Sequence, residues 1–291
     1  MARANQPASG RLGRPGRIVL VATPIGNLGD LSPRAVETLA GADVVCCEDT
    51  RRTRQLLTHA DIRGQRLVAL HEHNEQATAA KLVEQAVAGA TVAVVSDAGM
   101  PGLSDPGERL VRAAVEAGVA VSVVPGPSAA TAALVGSGLP CARFYFEGFL
   151  PRKGGERESR LRAIAAFPDT VVLYEAPPRV ARTVDDLVER CGDDRPVALA
   201  RELTKLHEQW WRGTLGQARE WLAGLSPKGE WAIVLGGAPP SRPGVDDEAL
   251  VAALRAHLGA GADRRSAIAS VVAETGAARR RVYQLATTLP R

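Results

Sequence analysis

The chain has 291 residues, of which 45% are hydrophobic, so it can bury the cores of about two domains and an appendage. Aromatic residues make up only 4%, which argues against a stacking-based single-strand binder, and the net charge of +4 is compatible with an anionic partner without requiring one. The four cysteines show no C-x-x-C spacing, which predicts buried, reduced thiols. No apolar run is long enough for a signal peptide or a membrane span, so we expect a cytoplasmic protein without a membrane anchor.

The first 126 residues predict a basic arm followed by a parallel α/β domain. Residues 1–16 carry Arg3, Arg11 and Arg14 and no acidic residue, which is typical of a disordered arm. From residue 17 to 126, apolar runs alternate with helical patterns, and this alternation predicts βαβ units with a mainly parallel sheet. The runs cover residues 17–24, 43–50, 66–71, 91–97 and 119–126.

Residues 127–238 predict a second α/β domain with a mixed sheet. Short connections, such as the one at 204–207, favour antiparallel neighbours. Tryptophans 210, 211 and 231 fit a core position better than an exposed groove. Apolar runs lie at 143–149, 170–176, 195–203, 208–214 and 230–237, with helices predicted near 155–167 and 177–191.

After a Pro- and Gly-rich linker at 239–244, residues 245–291 predict a small basic helical module. Asp246 and Asp263 are expected to cap two helices, and Gly276 separates a third helix that carries Arg279, Arg280 and Arg281. A helix-turn-helix-like, RNA-binding shape fits this pattern. The alternative is a solvated tail or a dimer contact.

Residues 96–107 (SDAGMPGLSDPG) form the most informative segment, because they follow an apolar strand and lead into an amphipathic helix. Three glycines let a ligand approach the backbone, and two prolines stiffen the loop. The carboxyl end of a parallel strand is also where open α/β sheets bind ligands. An alternative reading is that Asp105 caps the helix, with Pro106 at its first position and Glu108 completing a capping box.

The chain lacks two familiar nucleotide-binding motifs. No G-x-G-x-x-G follows the first strand and no G-x-x-x-x-G-K-[ST] occurs, which argues against a Rossmann or P-loop enzyme. Backbone groups and carboxylates remain, and these suit a cationic ligand group such as a sulfonium.

Several segments together resemble the tetrapyrrole-methylase superfamily. They are residues 23–30 (TPIGNLGD), 48–51 (EDTR), 96–107 and 125–129 (PGPSA). Residues 71–75 (HEHNE), 147–151 (EGFLP) and 201–205 (RELTK) resemble, more narrowly, the family that methylates a cytidine 2′-oxygen in small-subunit ribosomal RNA. The resemblance spans residues 17–288. Met100 and Pro178 depart from it, since threonine and histidine are more usual at these positions.

The resemblance implies two α/β domains with S-adenosylmethionine in the cleft between them, a homodimer, and ribosomal RNA of the small subunit as partner. Independently of the resemblance, acidic side chains at predicted strand ends are candidate bases, and these are Glu48, Asp105 and Glu202. The candidate RNA-binding residues are Arg51, Arg201, Lys205, Arg279, Arg280 and Arg281. The candidate cofactor-binding residues are Pro24, Asp97, Gly99, Met100, Asp105, Pro127, Ser128, Ala129 and Tyr174.

Other interpretations of these residues stay open at this point. A base is useful because a ribose hydroxyl is a poor nucleophile until its proton leaves, and Asp49 and His71 are further candidates. Glu48 and Arg51 could form a structural ion pair with each other. Arg201 and Glu202 could each form one with another residue. His71 and His73 alternate along a strand end and face opposite ways, so we expect no metal site.

Two other functions compete with RNA methylation. A methyltransferase that acts on a porphyrin-like small molecule would not need the basic tail, and a non-catalytic RNA-binding module would not need the glycine-rich loop. Residues 151–162 carry five basic residues against two acidic ones, and they could form a lid over RNA or a solvated connection.

Overall fold

The computed structural model describes residues 15–71, 74–239, 246–277 and 279–289. These residues form two compact units, one that ends at Gly237 and one that starts at Ala238. The arm predicted at 1–16 lies outside the described residues apart from 15 and 16, and so does most of the linker predicted at 239–244. The boundary predicted at residue 126 falls inside the first unit and stays a prediction.

The first half of the first unit contains a five-stranded sheet in the order β3-β2-β4-β1-β5, in which every neighbouring pair is parallel. The prediction of a parallel sheet is confirmed. The strands are β1 (Arg17–Val21), β2 (Val44–Cys47), β3 (Leu67–Ala69), β4 (Thr91–Val94) and β5 (Ala120–Val124). The helices are α1 (Pro33–Ala40), α2 (Thr50–His59), α3 (Glu75–Val87) and α4 (Glu108–Glu116), with a short 3-10 helix at Leu28–Asp30.

Alternating side chains place two apolar cores on the two faces of this sheet. Ile18 and Cys46 pack into one core with helices α3 and α4. Val19 and Cys47, their chain neighbours, pack into the other core with helices α1 and α2. Continuous apolar runs therefore form strands that are covered on both faces.

The second half contains a five-stranded mixed sheet in the order β6-β7-β10-β8-β9. Only β6 and β7 are parallel, so the prediction of a mixed sheet is confirmed. The strands are β6 (Phe144–Phe149), β7 (Thr170–Glu175), β8 (Pro196–Arg201), β9 (Gln209–Thr214) and β10 (Trp231–Leu235). The helices are α5 (Ala129–Gly136), α6 (Gly155–Ala166), α7 (Val180–Cys191) and α8 (Leu215–Ala223), and a 3-10 turn at Pro177–Arg179 precedes α7.

The predicted start of helix α4 is wrong. The helix begins at Glu108 with Gly107 at the N-cap position, so Asp105 does not cap it. The acceptor is instead Oε1 of Glu75, which receives hydrogen bonds from the N–H groups of Gly107 and Arg109. Capping is thus supplied by a distant carboxylate, and the side chain of Asp105 interacts with Ser96 instead.

Three smaller expectations are tested by burial. Residues 155–166 form helix α6, in which the guanidinium of Arg157 is buried against Asp186, so most of the segment predicted as a lid or connection is a packed helix. Trp231 is in the core, as predicted, whereas Trp210 and Trp211 are half-buried. Cys46 and Cys47 are buried, but Cys141 is exposed and Cys191 half-buried, so only part of the thiol prediction is correct.

The second unit consists of α9 (Asp247–Gly259), α10 (Arg264–Thr275) and α11 (Arg279–Thr288). Asp246 and Asp263 cap the first two helices through their side chains, as predicted. Gly276 ends α10 in the left-handed conformation (φ 67°), and residues of the three helices share one apolar core; the helix-turn-helix-like shape stays a prediction. None of the described helices is long and apolar enough to cross a membrane.

Candidate active site

A cavity of about 350 Å³ lies where loops of the two halves of the first unit meet. This volume is in the range of small-molecule sites. The first half contributes Ile25, Ala98, Gly99, Met100, Leu103, Ser104 and Asp105. The second half contributes Ser128, Ala129, Phe149, Tyr174, Glu175, Ala176, Pro177, Ala200, Leu203, Glu230, Trp231 and Ala232.

Two strand-end loops are joined at one edge of this cavity. The N–H of Thr23 donates to the carbonyl of Gly99 at 2.9 Å, and the N–H of Gly99 donates to the carbonyl of Thr23 at 3.1 Å. Gly99 has a φ of 83°, and a Cβ there would lie 3.3 Å from Cγ2 of Ile25. A glycine is therefore required where the loop after β4 turns past the loop after β1.

Asp105 is the carboxylate of the cavity with the most perturbed acidity. Its pKa is raised to about 6, mainly by burial and in addition by the negative charges of Glu48 and Asp97, while a hydrogen bond with Ser96 lowers it. Desolvation and the charge of Asp97 also raise the pKa of Glu48. Three carboxylates thus influence one another at the ends of β2 and β4.

The second half supplies an aromatic wall with polar atoms. The hydroxyl of Tyr174 accepts a hydrogen bond from the N–H of Ala130 at 2.9 Å, at the start of α5. The Phe149 ring lies 5.6 Å from the Tyr174 ring and is 50% exposed. Ser128 lines the cavity beside the Tyr174 hydroxyl, and a hydrogen bond between the two side chains opposes the rise that burial causes in the pKa of Tyr174.

The loop after β8 holds a salt-bridge cluster rather than a free base. Nζ of Lys205 lies 2.8 Å from Oε1 of Glu202 and 2.9 Å from Oε2 of Glu230. The hydrogen bond from Lys205 is the main reason that the pKa of Glu202 is lowered. Arg201 donates to the carbonyl of Lys228 and lies 5.8 Å over the Trp231 ring. The interpretation of Glu202 as part of an ion pair is therefore correct.

A smaller pocket of about 190 Å³ lies beside the cavity. Asp97 is in its wall, where Oδ1 accepts from the N–H of Asp49 at 3.0 Å and Oδ2 lies 3.4 Å from Arg52. Arg51 lies 3.9 Å from Asp49, the N-cap of α2, and not against Glu48. The pocket is lined by Thr23, Pro24, Leu28, Arg52, Thr53, Gln55, Leu56, Ser96 and Asp97.

The structure divides the predicted site residues among five places. The cavity brings together Gly99, Met100, Asp105, Ser128, Ala129 and Tyr174, and the carbonyl of Pro127 lies next to Gly99. Pro24 and Asp97 line the smaller pocket. Glu202 and Lys205 lie in the salt-bridge cluster, and Glu48 is at the end of β2. Arg279, Arg280 and Arg281 are in the second unit, on α11.

Sequence reasoning missed much of the apolar wall of the cavity. Ile25, Leu203 and Trp231 all line it. Ile25 and Leu203 lie within segments that the sequence singled out and Trp231 lies in a predicted strand, but an apolar residue at a strand end is equally compatible with a core position. Among the described residues, no group of three or more His, Cys, Asp or Glu side chains could hold a metal ion.

The fold has several relatives among solved structures. The methyltransferase CobJ has a TM-score of 0.58 at 22% identity, covering 77% of this chain and 95% of that one. Diphthine synthase has a TM-score of 0.56 at 17% identity, covering 75% and 89%. A family model for Tetrapyrrole (Corrin/Porphyrin) Methylases matches residues 17–219. The fold and the cavity thus define a methylase of the tetrapyrrole class.

Sequence relatives refine this class. A protein of Synechocystis sp., named ribosomal RNA small subunit methyltransferase I, is 46% identical over 94% of this chain and 98% of its own length. A protein of the same name from Mycobacterium tuberculosis is 46% identical over 92% of this chain and 93% of its own length. Another from Halalkalibacterium halodurans is 40% identical over 93% of this chain and 94% of its own length. The chain belongs to the tetrapyrrole methylases and, among them, to the ribosomal RNA small subunit methyltransferase I family.

Proposed function

We propose that this protein uses S-adenosylmethionine to methylate the ribose 2′-oxygen of a cytidine in the 16S RNA of the small ribosomal subunit, in the cytoplasm. The observation that carries the proposal is the cavity, which is lined by the half-buried carboxylate of Asp105 and by the aromatic rings of Phe149 and Tyr174. The names of the sequence relatives support small-subunit ribosomal RNA as the substrate. The alternative, a porphyrin-like acceptor, has no support from those relatives.

The residues of the cavity fit S-adenosylmethionine. Ile25, Leu203 and Trp231 give an apolar surface for an adenine ring, and the hydroxyls of Ser128 and Tyr174 give polar groups in the same wall. The carboxylates of Asp105 and Glu230 suit the positive charges of a sulfonium and an ammonium group. We assign binding to Gly99, Met100, Ser128, Ala129 and Tyr174, and when bound the cofactor supplies an electrophilic methyl group.

Asp105 is the best candidate for the general base. A pKa of about 6 leaves its carboxylate mostly ionised at neutral pH while keeping it basic enough to accept the proton of a ribose 2′-hydroxyl. Glu48 shares the same electrostatic environment and is the second candidate. Glu202 is a poor candidate, because Lys205 stabilises its ionised form. The main task of the chain is then to align the hydroxyl with the methyl group.

The helical second unit is proposed to bind RNA phosphates. Arg279 and Arg280 are exposed at the start of α11. Arg281 is less available, because its Nε donates to Oδ1 of Asp247 on α9 at 2.8 Å. We retain the division into domains at 17–126, 127–238 and 245–291 as part of this proposal, with RNA binding assigned to the last.

A homodimer is also proposed. The strand β5 is at the edge of the first sheet, and Val123 on it is 50% exposed, which favours a covering surface. Sedimentation of the purified protein at micromolar concentration tests this point separately from activity.

Transfer of labelled methyl groups tests the activity. The protein should label small ribosomal subunits or free 16S RNA from S-adenosylmethionine in the presence of a chelator, and mapping should place the label on a cytidine ribose. Labelling of a porphyrin-like acceptor with no labelling of RNA would contradict the proposal. Dependence on an added metal ion would contradict the prediction that none is needed.

A further inference from the structure

The smaller pocket beside the cavity combines apolar and polar walls. Leu28, which is 46% exposed, and the half-buried Leu56 provide the apolar surface. Asp97, Arg52 and Gln55 provide one carboxylate and two hydrogen-bond donors. Apolar side chains next to a few polar groups are typical of a small-molecule site, here one that suits a flat ligand with polar edges.

Helix α2, which forms one wall of this pocket, is basic. Its ten residues carry Arg51, Arg52, Arg54 and His59 and no acidic side chain. The side chains of Arg51 and Arg52 are 88% and 64% exposed. Asp49 at the N-cap and Asp97 across the pocket pair loosely with Arg51 and Arg52, at 3.9 and 3.4 Å, and the excess of exposed arginines on the helix favours a phosphate backbone as the partner.

The pocket and the cavity share the same two loops. Thr23 and Pro24 line the pocket, and the next residue, Ile25, lines the cavity. Likewise Asp97 lines the pocket, and Ala98 lines the cavity. A group in the smaller pocket is thus separated from the cavity only by the Thr23–Gly99 backbone bridge.

We propose that the smaller pocket and the arginines of α2 bind the nucleotide that is methylated, with its base in the pocket and its flanking phosphates on Arg51 and Arg54. This inference rests on the proposed function. The base would lie against Leu28 and Leu56 and present its polar edge to the remaining wall. Its ribose would then reach towards the neighbouring cavity.

The polar wall matches a cytosine. Cytosine presents one amino donor next to a ring nitrogen and a carbonyl acceptor. The carboxylate of Asp97 has capacity for the amino group beyond its bonds to Asp49 and Arg52, and Arg52 and Gln55 can donate to the acceptors. Uracil would place a carbonyl oxygen against the carboxylate, which is unfavourable.

Removal of the apolar wall tests the pocket. Leu28→Ala should raise the KM for small ribosomal subunits by about tenfold, while the Kd for S-adenosylmethionine stays within about twofold. Leu225→Ala, a change at another exposed leucine (37%), is the matched control and should alter neither value. An unchanged KM in Leu28→Ala, or a weakened cofactor affinity, would overturn the proposal.

Base selectivity tests the polar wall. With RNA that carries uridine at the mapped position, Asp97→Asn should raise the ratio of uridine to cytidine methylation by about tenfold, because an amide can donate to the uracil carbonyl. If Asp97→Asn does not fold, Gln55→Ala is the second variant, because it alters an exposed side chain. It is expected to lower the selectivity for cytidine. Unchanged selectivity in the folded variants would overturn the proposal.

A binding measurement separates failure of this inference from failure of the proposed function. Millimolar cytidine 5′-monophosphate should shift the methyl NMR signals of Leu28 and Leu56 in the whole protein, with Val87 as the exposed reference. Such shifts in a protein that methylates no RNA would support the pocket and contradict the proposed activity. Active protein without these shifts would contradict the pocket alone.

Discussion

The carboxylate of Glu75 caps a helix whose own N-cap residue, Gly107, has no side chain. Its Oε1 lies 2.9 Å from the N of Gly107 and 3.1 Å from the N of Arg109, and the Glu75 side chain is buried. Asn74 holds the preceding turn by bonding the carbonyl of Ala69 and the N–H of His71. Asn74 and Glu75 therefore fix the end of the loop that carries Asp105, whereas Glu72 and His73 of the same predicted segment lie outside the described residues.

Replacing Glu75 should destabilise the protein. Glu75→Ala leaves buried N–H groups of α4 without an acceptor, and the expected loss is about 1–3 kcal/mol of unfolding free energy. Glu75→Gln keeps an acceptor oxygen and should lose less. Urea unfolding measures both losses. Glu84→Ala is the control, because Glu84 is an exposed residue of α3, the helix that begins at Glu75. Equal stability of Glu75→Ala and the control would contradict the capping role.

Asp105 should make methyl transfer depend on pH with a midpoint near 6, the pKa of its carboxyl group. The rate should rise as pH increases through this value, because the base must be ionised. Asp105→Asn should lower the rate by about 10²-fold or more. Asp61→Asn, at an exposed carboxylate, is the control. A pH profile that is identical in Asp105→Asn would exclude Asp105 as the base.

The raised pKa of Asp105 also predicts how the stability of the protein depends on pH: stability should fall with rising pH, whereas the methylation rate should increase. The folded pKa of Asp105 is raised above its ordinary value of 3.8, so the folded state binds more protons between pH 4 and 6, and its stability falls as pH rises through that window. Asp105→Asn should therefore unfold at a higher temperature than the parent protein at pH 7, and at nearly the same temperature at pH 4. Thermal unfolding at the two pH values measures the difference.

Gly26 should be sensitive to any side chain. A Cβ at this position would lie 2.3 Å from Cγ of Lys205 and 2.9 Å from Oγ1 of Thr204, so the loop after β8 would have to move. Gly26→Ala should weaken S-adenosylmethionine binding, because Leu203 in that loop lines the cavity. Calorimetric titration tests this effect against Gly155→Ala, where the added methyl group meets no atom within 4 Å. Equal affinities would show that the loop adapts.

The predicted contact of Asp97 with the cofactor can be separated from a contact with RNA. If the carboxylate binds the cofactor, Asp97→Ala should lower cofactor affinity by about tenfold. If it lies only in the nucleotide pocket, the KM for RNA should change and the cofactor affinity should not. Titration with S-adenosylmethionine in the absence of RNA distinguishes the two.

The second unit should control the salt dependence of RNA binding. Replacing both Arg279 and Arg280 by alanine should reduce the logarithmic salt slope by somewhat less than one unit for each lost phosphate contact. Arg255→Ala, on α9, is the control, and deletion of residues 244–291 should abolish RNA methylation while cofactor binding persists. Undiminished methylation by the truncated protein would contradict the assignment of RNA binding to this unit.

The strands could be predicted from the sequence because each is a short apolar run bounded by turn residues. Helix α8 was not predicted, although Thr214 and Gln217 form a capping box that marks its start. The start of α4 was predicted wrongly because its cap, Glu75, is distant in sequence and no local pattern reveals such a contact. The apolar wall of the cavity was missed for a similar reason, since Leu203 joins it only when the two halves pack together.

The uneven burial of the cysteines makes this protein suitable for site-directed labelling without removal of native thiols. Burial raises the pKa of Cys46 to about 12, and desolvation also raises the pKa of Cys47 and Cys191, so their thiolate fractions at neutral pH are very small. Cys141 is exposed. A maleimide fluorophore or a spin label should therefore attach to one position just before β6, from which distances to RNA can be followed during binding.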